Sequence, residues 1–261
     1  MIVELAVVEP FPWAALLSYL GARIIPGVEC VDGNGYERRH NGAVIRVTYR
    51  AAGGCLRIRA NGKVGEDEIA ARVARLFDAG QDTRAADDCL RKCAILAPRI
   101  ERVPGLRPLG CWCAFELCVR TVVGQQVSVA AAGTLVGRLI ERCGELSPAA
   151  LRAADLDAIG MPGRRVATLR HLADAALSGE LALDSANWDE IDTRLSRLPG
   201  IGTWTRAYLA IRLGRQPDAF PETDLGLLRA AGATSPAALR ALSQGWRPHR
   251  ANAAAYLWCV S

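Results

Sequence analysis

Lysine is almost missing from this chain of 261 residues: Lys63 and Lys92 are the only two, against 32 basic residues in all, so the rest are arginine. A mechanism that requires a lysine Schiff base has just two candidates. Histidine is as scarce. His40, His171 and His249 stand in no mutual spacing that suits a metal, which argues against a His-rich zinc site and an obvious Ser-His-Asp triad. The nine cysteines contain no CxxC, and the close pairs Cys89/Cys93 and Cys111/Cys113 lack a second pair to complete a tetrahedral site. They read as reduced core thiols. No basic residue precedes Arg23, so the positive start of a signal peptide is missing. The longest uncharged stretch, Thr121 to Gly137, carries Gln125, Gln126, Ser128 and Thr134 and falls short of the ~18 residues that a membrane span needs. A soluble, cytoplasmic protein is expected. Its 51% hydrophobic and 23% charged residues can build one large core or two modest ones, and a net charge of +5 permits nucleic-acid binding without requiring it.

The front of the chain reads as mixed α and β. Strands are predicted over Ile2–Val8, Tyr36–His40, Ala43–Arg50 and Cys55–Ala60, with Asn41-Gly42 and Gly53-Gly54 as hairpin turns. Ile45, Val47 and Tyr49 share the face expected to turn inward. Helices are predicted over Phe11–Ile24 and Glu66–Ala79, giving β-α-β-β-β-α. From about residue 83 the patterns are helical: ten of them lie between Asp87 and Trp258, separated by turns such as Pro104-Gly105, Pro162-Gly163 and Pro199-Gly200. The fold class is therefore α+β, with a mixed domain over 1–82 followed by an all-helical domain over 83–261.

Leu198-Pro199-Gly200-Ile201-Gly202 stands between two amphipathic helices. Glycines without Cβ let the backbone approach another molecule closely, and the unpaired N–H groups at the start of the second helix, from Thr203, suit a phosphate. An ordinary tight turn fits the pentapeptide equally well. Beyond it, Phe220-Pro221-Glu222-Thr223 reads as extended, so Asp224 falls at or near the N-cap of the next helix. Capping accounts for such an aspartate on its own. Close behind the hairpin, it is also a candidate active-site carboxylate.

The stretch LPGIGTWTRAYLAIRLGRQPDAFPETD resembles the helix-hairpin-helix glycosylase superfamily, whose signature is a hairpin, a Gly/Pro loop and a catalytic aspartate. The likeness extends to the branch of alkylbase DNA glycosylases called 3-methyladenine DNA glycosylase II, or AlkA, through EPFPWAALLSYLGAR, PLGCWCAFELCVRTVVGQQVSVAAAG, AIGMPGRRVATLRHLADAAL and WRPHRANAAAYLWCVS. Those motifs agree in order and spacing over essentially the whole chain. The resemblance implies a front antiparallel-sheet domain of the TBP-like-half kind, a helical glycosylase domain and base excision repair of alkylated purines such as 3-methyladenine. Asp224 becomes the essential carboxylate, and Trp204, Tyr208, Trp258 and Tyr19 the base pocket. An aromatic cleft suits a base made cationic by alkylation.

By the same resemblance, Gly200, Ile201, Gly202 and Thr203 meet DNA, and Gly124-Gln125-Gln126-Val127 carries the side chain that wedges into the gap left by a flipped base. That residue can be leucine in the family; here it is Gln126. Backbone carbonyls of Ser196, Leu198 and Gly200 match those that hold a monovalent cation. Relatives that also cut the strand place a lysine two residues after the last hairpin glycine, where this chain has Trp204, so a monofunctional enzyme is expected. Cys259 is the only cysteine beyond Cys143, which excludes the four-cysteine iron–sulfur cluster of some relatives. No cofactor is required. The expected partner is double-stranded DNA containing damaged bases, bound by a monomer associated with the bacterial nucleoid. Arg164, Arg165, Arg206 and Arg250 are candidates for phosphates. The alternatives are a noncatalytic helix-hairpin-helix DNA-binding module and a glycosylase with lyase activity.

Overall fold

Alternating apolar residues build the front of the chain into five strands: β1 (Ile2–Ala6), β2 (Glu29–Asp32), β3 (Gly35–His40), β4 (Ala43–Arg50) and β5 (Cys55–Asn61). The computed structural model describes residues 1–183, 185, 187–214 and 216–260; Arg215 and Ser261, within two of the stretches quoted above, lie outside them. The sheet order is β1-β5-β4-β3-β2 and every neighbouring pair is antiparallel. Val47 stands opposite Tyr36 and Ile58, and Ile45 opposite Arg38 and Ala60, so these side chains share one face. It is the face expected to turn inward, and Ile45, Val47, Tyr36 and Ile58 are fully buried there. Helices α1 (Trp13–Gly21) and α2 (Glu66–Phe77) cover it with Leu16, Leu17, Leu20, Ile69, Val73, Leu76 and Phe77.

The expected β-α-β-β-β-α unit lacks one strand that the structure has. β2 is four residues long, and its Glu-Cys-Val-Asp sequence has too few apolar positions to register as a strand. It is closed by a turn in which Asp32 Oδ1 accepts from the N–H groups of Asn34 and Gly35, both at 3.0 Å.

Helices then run on: α3 (Arg84–Leu90), α4 (Ala97–Arg102), α5 (Ala114–Val123), α6 (Val129–Cys143), α7 (Pro148–Ala153), α8 (Gly163–Leu177), α9 (Trp188–Arg197), α10 (Thr203–Arg212), α11 (Leu225–Ala230), α12 (Pro236–Leu242) and α13 (Arg250–Cys259). The helix expected over Asp87–Leu96 ends early at Leu90, and α4, short and with Pro98 in its first turn, was not anticipated. Their apolar faces form two clusters. The first joins the sheet, α1 and α2 to α13 through Ala251, Ala253, Ala254, Tyr256 and Leu257. The second draws on the helices α5 to α10 and the loops between them, apart from Ile25, and runs from Cys111 to Ala210. Helix α10 serves both: Leu209 and Ala210 enter the second cluster, Ile211 the first.

Buried charge ties the sheet to the helices. On the inner face of β3, Arg38 Nη1 lies 2.8 Å from Glu29 Oε1 of β2 and 3.2 Å from Glu116 Oε1 of α5. Glu29 also accepts from the Tyr36 hydroxyl at 2.7 Å and the Ile25 N–H at 2.8 Å, with Arg120 Nη1 at 3.5 Å. Burial alone would push the Glu29 carboxyl up, but Arg120 and Arg38 together hold it below the usual carboxylate range. Arg107, 1% exposed, makes no ion pair among the described residues. It instead gathers the carbonyls of Gly105, Asp78, Gln81, Val8 and Pro10 at 2.6–3.3 Å, joining the end of α2 to the loop after β1.

Candidate active site

Asp224 closes a ring of hydrogen bonds at the start of α11. Its Oδ1 accepts from the N–H of Leu227 at 2.9 Å, the N-cap geometry expected from sequence, and from the Trp258 indole at 3.2 Å. Oδ2 accepts from the Trp204 indole at 2.9 Å. An ionised carboxylate has only acceptors to offer, and three N–H donors converge on this one. Capping and site geometry thus coincide in one side chain.

Trp204 and Tyr208 stand one turn apart on α10, which stacks their rings at 5.5 Å with an interplanar angle of 20°. Trp258, from α13, meets Tyr208 edge-on at 5.4 Å and 60°. These rings and Asp224 form one half-buried cluster, and the structure brings together the residues singled out from three separate stretches. Tyr19 of α1 joins from the sheet side as a more deeply buried neighbour: its hydroxyl is 3.4 Å from that of Tyr208, and Arg23 Cζ lies 3.7 Å from its ring centroid.

Arg212 was not singled out from sequence. One further turn along α10 from Tyr208, it donates to the hydroxyls of Tyr208 at 2.8 Å and Tyr19 at 3.3 Å, to the Gly110 carbonyl at 2.7 Å and to the Leu109 carbonyl. A charged residue on the same helical stripe as two aromatics was the available signal. Burial pushes the Tyr19 phenol well above its ordinary value. Burial acts the same way on Tyr208, but the nearby Arg212 and Arg23 prevail and hold it below.

The hairpin lies between α9 and α10. Gly200 has φ +84°, and a Cβ built there would fall 2.1 Å from Thr168 Oγ1 of α8, so only glycine fits. Gly202 differs: its φ is −89° and a Cβ would face open space, so nothing within the chain demands glycine there. Gly202 and Thr203 are exposed, whereas Ile201 turns its side chain into the second cluster. No side chain caps α10, which leaves its first N–H groups facing outward. Gly200→Ala is expected to weaken duplex binding at least tenfold in a fluorescence-anisotropy titration, because strain and the Thr168 clash displace the turn. Unchanged affinity would show that the hairpin does not grip DNA.

Gln126 is exposed, with φ +57° in the loop between α5 and α6. Its neighbour Gln125, treated in sequence only as part of that loop, fastens it to the hairpin: Nε2 donates to the Gly200 carbonyl at 2.9 Å and to Thr205 Oγ1 at 3.0 Å. From behind, Arg165 Nη2 donates to the Gln125 carbonyl at 2.6 Å. The loop is held at both ends, since Ser128 caps α6. Of the other arginines considered for phosphates, Arg206 pairs with Asp192 and Arg250 with Asp218, while Arg164 is exposed. A cleft of about 390 Å³ opens between these two ion pairs on the opposite face of α10 from Trp204 and Tyr208. Neither Asp224 nor the rings of Trp204, Tyr208 and Trp258 line it.

Carbonyls are the right donors for a monovalent cation, and each has two lone pairs. The Leu198 carbonyl accepts from the Ile201 N–H at 3.2 Å and that of Gly200 from Gln125, so each retains one. Among the described residues, no three His, Cys, Asp or Glu side chains gather as metal ligands, and no helix is long and apolar enough to cross a membrane.

An antiparallel sheet set against a helical body, with this hairpin leading into the helix whose Trp204 meets the Asp224 carboxylate, defines the class: helix-hairpin-helix glycosylases. Residues 2–113 match the family model of the AlkA N-terminal domain. DNA-3-methyladenine glycosylase 2 of Escherichia coli is 32% identical over 270 residues, covering 95% of this chain and 94% of that protein. A probable bifunctional transcriptional activator/DNA repair enzyme AlkA of Mycobacterium tuberculosis is 32% identical over 98% of this chain, which spans 56% of its length. In fold, a 3-methyladenine DNA-glycosylase from Archaeoglobus fulgidus superposes with a TM-score of 0.80 at 18% identity, covering 99% of this chain and 97% of that one. The chain belongs to the 3-methyladenine DNA glycosylase II (AlkA) family.

Proposed function

We propose that this chain is a monofunctional DNA glycosylase that turns an alkylated purine out of the duplex and hydrolyses its N-glycosidic bond, leaving an abasic site. The observation that carries the reading is the Asp224 carboxylate, aligned by the Leu227 N–H and two indoles. Family membership supports it, since the E. coli relative is named for release of 3-methyladenine.

Cleavage of the bond leaves positive charge on the sugar. A fixed carboxylate beside C1′ stabilises that oxocarbenium-like state and orients the attacking water. A purine alkylated on a ring nitrogen is already cationic and departs readily, so no general acid is needed. Trp204, Tyr208 and Trp258 offer π faces worth ~0.5–2 kcal/mol each to such a base. Hairpin residues 200–203, with the outward N–H groups of α10, hold a phosphate beside the lesion, and Gln126 fills the space that the base vacates. A monovalent cation on the carbonyls of Ser196, Leu198 and Gly200 would add positive charge at that phosphate. The protein acts as a cytoplasmic monomer on double-stranded DNA.

Trp204 occupies the place of a Schiff-base lysine, and its indole is committed to Asp224. Methylated duplex treated with the protein is therefore expected to lose bases yet stay intact until heated in alkali. Strand breaks before alkali would establish lyase chemistry, and tight binding without base release would favour the noncatalytic module.

A further inference from the structure

Gln125 and Gly200 are 75 residues apart in sequence, yet the loop that carries one and the hairpin that carries the other are seated on the same helix. On α8, Arg165 Nη2 donates to the Gln125 carbonyl at 2.6 Å. Thr168, three residues further along the same side of α8, packs against Gly200 so closely that a Cβ there would fall 2.1 Å from its Oγ1. The Gln125 side chain then spans from loop to hairpin. Both hydrogens of its amide nitrogen are spent, one on the Gly200 carbonyl at 2.9 Å and one on Thr205 Oγ1 at 3.0 Å. Thr205 is only 2% exposed, so that end of the bridge is anchored inside the protein.

Gln126 is the residue that this bridge leaves standing free. Its side chain is exposed and has no hydrogen-bond partner among the described residues. Its backbone, at φ +57°, lies in the left-handed region that residues other than glycine hold only where their surroundings fix them. Here the fixed points are Gln125 before it and Ser128 after it, whose hydroxyl accepts from the Ala131 N–H at 3.2 Å. Cutting the Gln125 bridge therefore loosens Gln126 without altering it, and leaves the Gly200 turn seated on Thr168.

We infer that Gln125 is a positioning residue for base flipping: it holds the side chain that enters the duplex at a fixed distance from the backbone that holds the phosphate, so that insertion of Gln126 and the grip of residues 200–203 act on one nucleotide as a single step. The inference rests on the glycosylase reading and gives Gln125 a part in it that requires no contact with base or sugar. A loop cut loose from the hairpin must be ordered before it can insert, and that ordering opposes flipping. The penalty falls on lesions that have to be drawn out of a base pair and leave a gap behind, and spares lesions that are already unpaired.

The test is single-turnover release of 3-methyladenine from two duplexes, one with the lesion opposite thymine and one with it in a one-nucleotide bulge, where it has no partner to leave and opens no gap. Wild type, Gln125→Met and Thr205→Val are compared. Methionine matches glutamine in length and lacks the donors; valine matches threonine in shape and lacks the acceptor. The ratio of paired to bulged rates is expected to fall about tenfold in Gln125→Met, which loses two hydrogen bonds, and about threefold in Thr205→Val, which keeps the bond to Gly200. A role confined to folding lowers both rates together and leaves the ratio alone, so a ratio within about twofold of wild type in Gln125→Met overturns the proposal. Should that variant not fold, Thr205→Val decides, and an unmoved ratio there overturns it. Wild-type release with unmoved ratios in the variants removes the positioning role while sparing the glycosylase reading; wild-type release from neither duplex overturns both.

Discussion

Asp224→Asn is expected to lower base release from methylated duplex by about 10³-fold or more while duplex affinity stays within about threefold. Asparagine has the same shape and caps a helix as well as aspartate, so α11 retains its first hydrogen bond. Two things are lost. The negative charge beside the sugar disappears, and the amide can no longer accept at both ends: with its oxygen kept for the Leu227 N–H, its NH₂ must face the indole N–H of Trp204, which now lies 2.9 Å from a carboxylate oxygen. Release kinetics measured beside an anisotropy titration separate chemistry from binding. Base release within tenfold of wild type would remove Asp224 from the reaction.

Arg38→Met is expected to cost 3–5 kcal/mol of folding stability, read as a lower urea midpoint at unchanged slope. Without the guanidinium, Glu29 and Glu116 remain buried side by side, with Arg120 the one cation left near both among the described residues, at 3.5 Å and 3.6 Å. A loss under 1 kcal/mol would show that the network is relaxed elsewhere. Glu29 also sets an acid limit. Glu29 is held below the ordinary 4.5, so its contribution is fully present above that value and is lost as pH falls through its lowered folded-state value. The wild type is expected to lose urea resistance on acidification below pH 4.5, and Arg38→Met to lose less over the same interval.

The sheet was readable at β1 from its apolar run and at β3, β4 and β5 from the hairpin turns Asn41-Gly42 and Gly53-Gly54 between them, and unreadable at β2, whose four residues follow the register of β3 rather than any pattern of their own. Most of the helices were plain because their apolar stripes are local. The candidate site divides similarly. Asp224 could be placed at a helix start from Pro221 and the residues after it, and Gly200 and Gly202 from the turn. What Asp224 touches could not: Trp204 and Trp258 lie 20 residues before it and 34 after it, and only folding aims their indoles at one carboxylate. Gln125 and Arg212 were passed over for the same reason. A glutamine in a loop and an arginine at a helix end look solvated in sequence, and their partners, Gly200 and Tyr19, belong to distant segments.

The first hydrophobic cluster has a consequence for how the protein is made. Its sheet and helices α1 and α2 are translated early, but the surface they leave uncovered waits for Ala251, Ala253, Tyr256 and Leu257 of α13. The second cluster closes on itself by Ala210, well before those residues leave the ribosome. Folding during synthesis is therefore expected to finish in the middle of the chain first, and the side of α1 that packs on α13 stays uncovered until that helix arrives. Because Trp258 rides on that helix, the step that seals the core also delivers the second indole to Asp224. A nascent chain has no assembled site before its fold is complete.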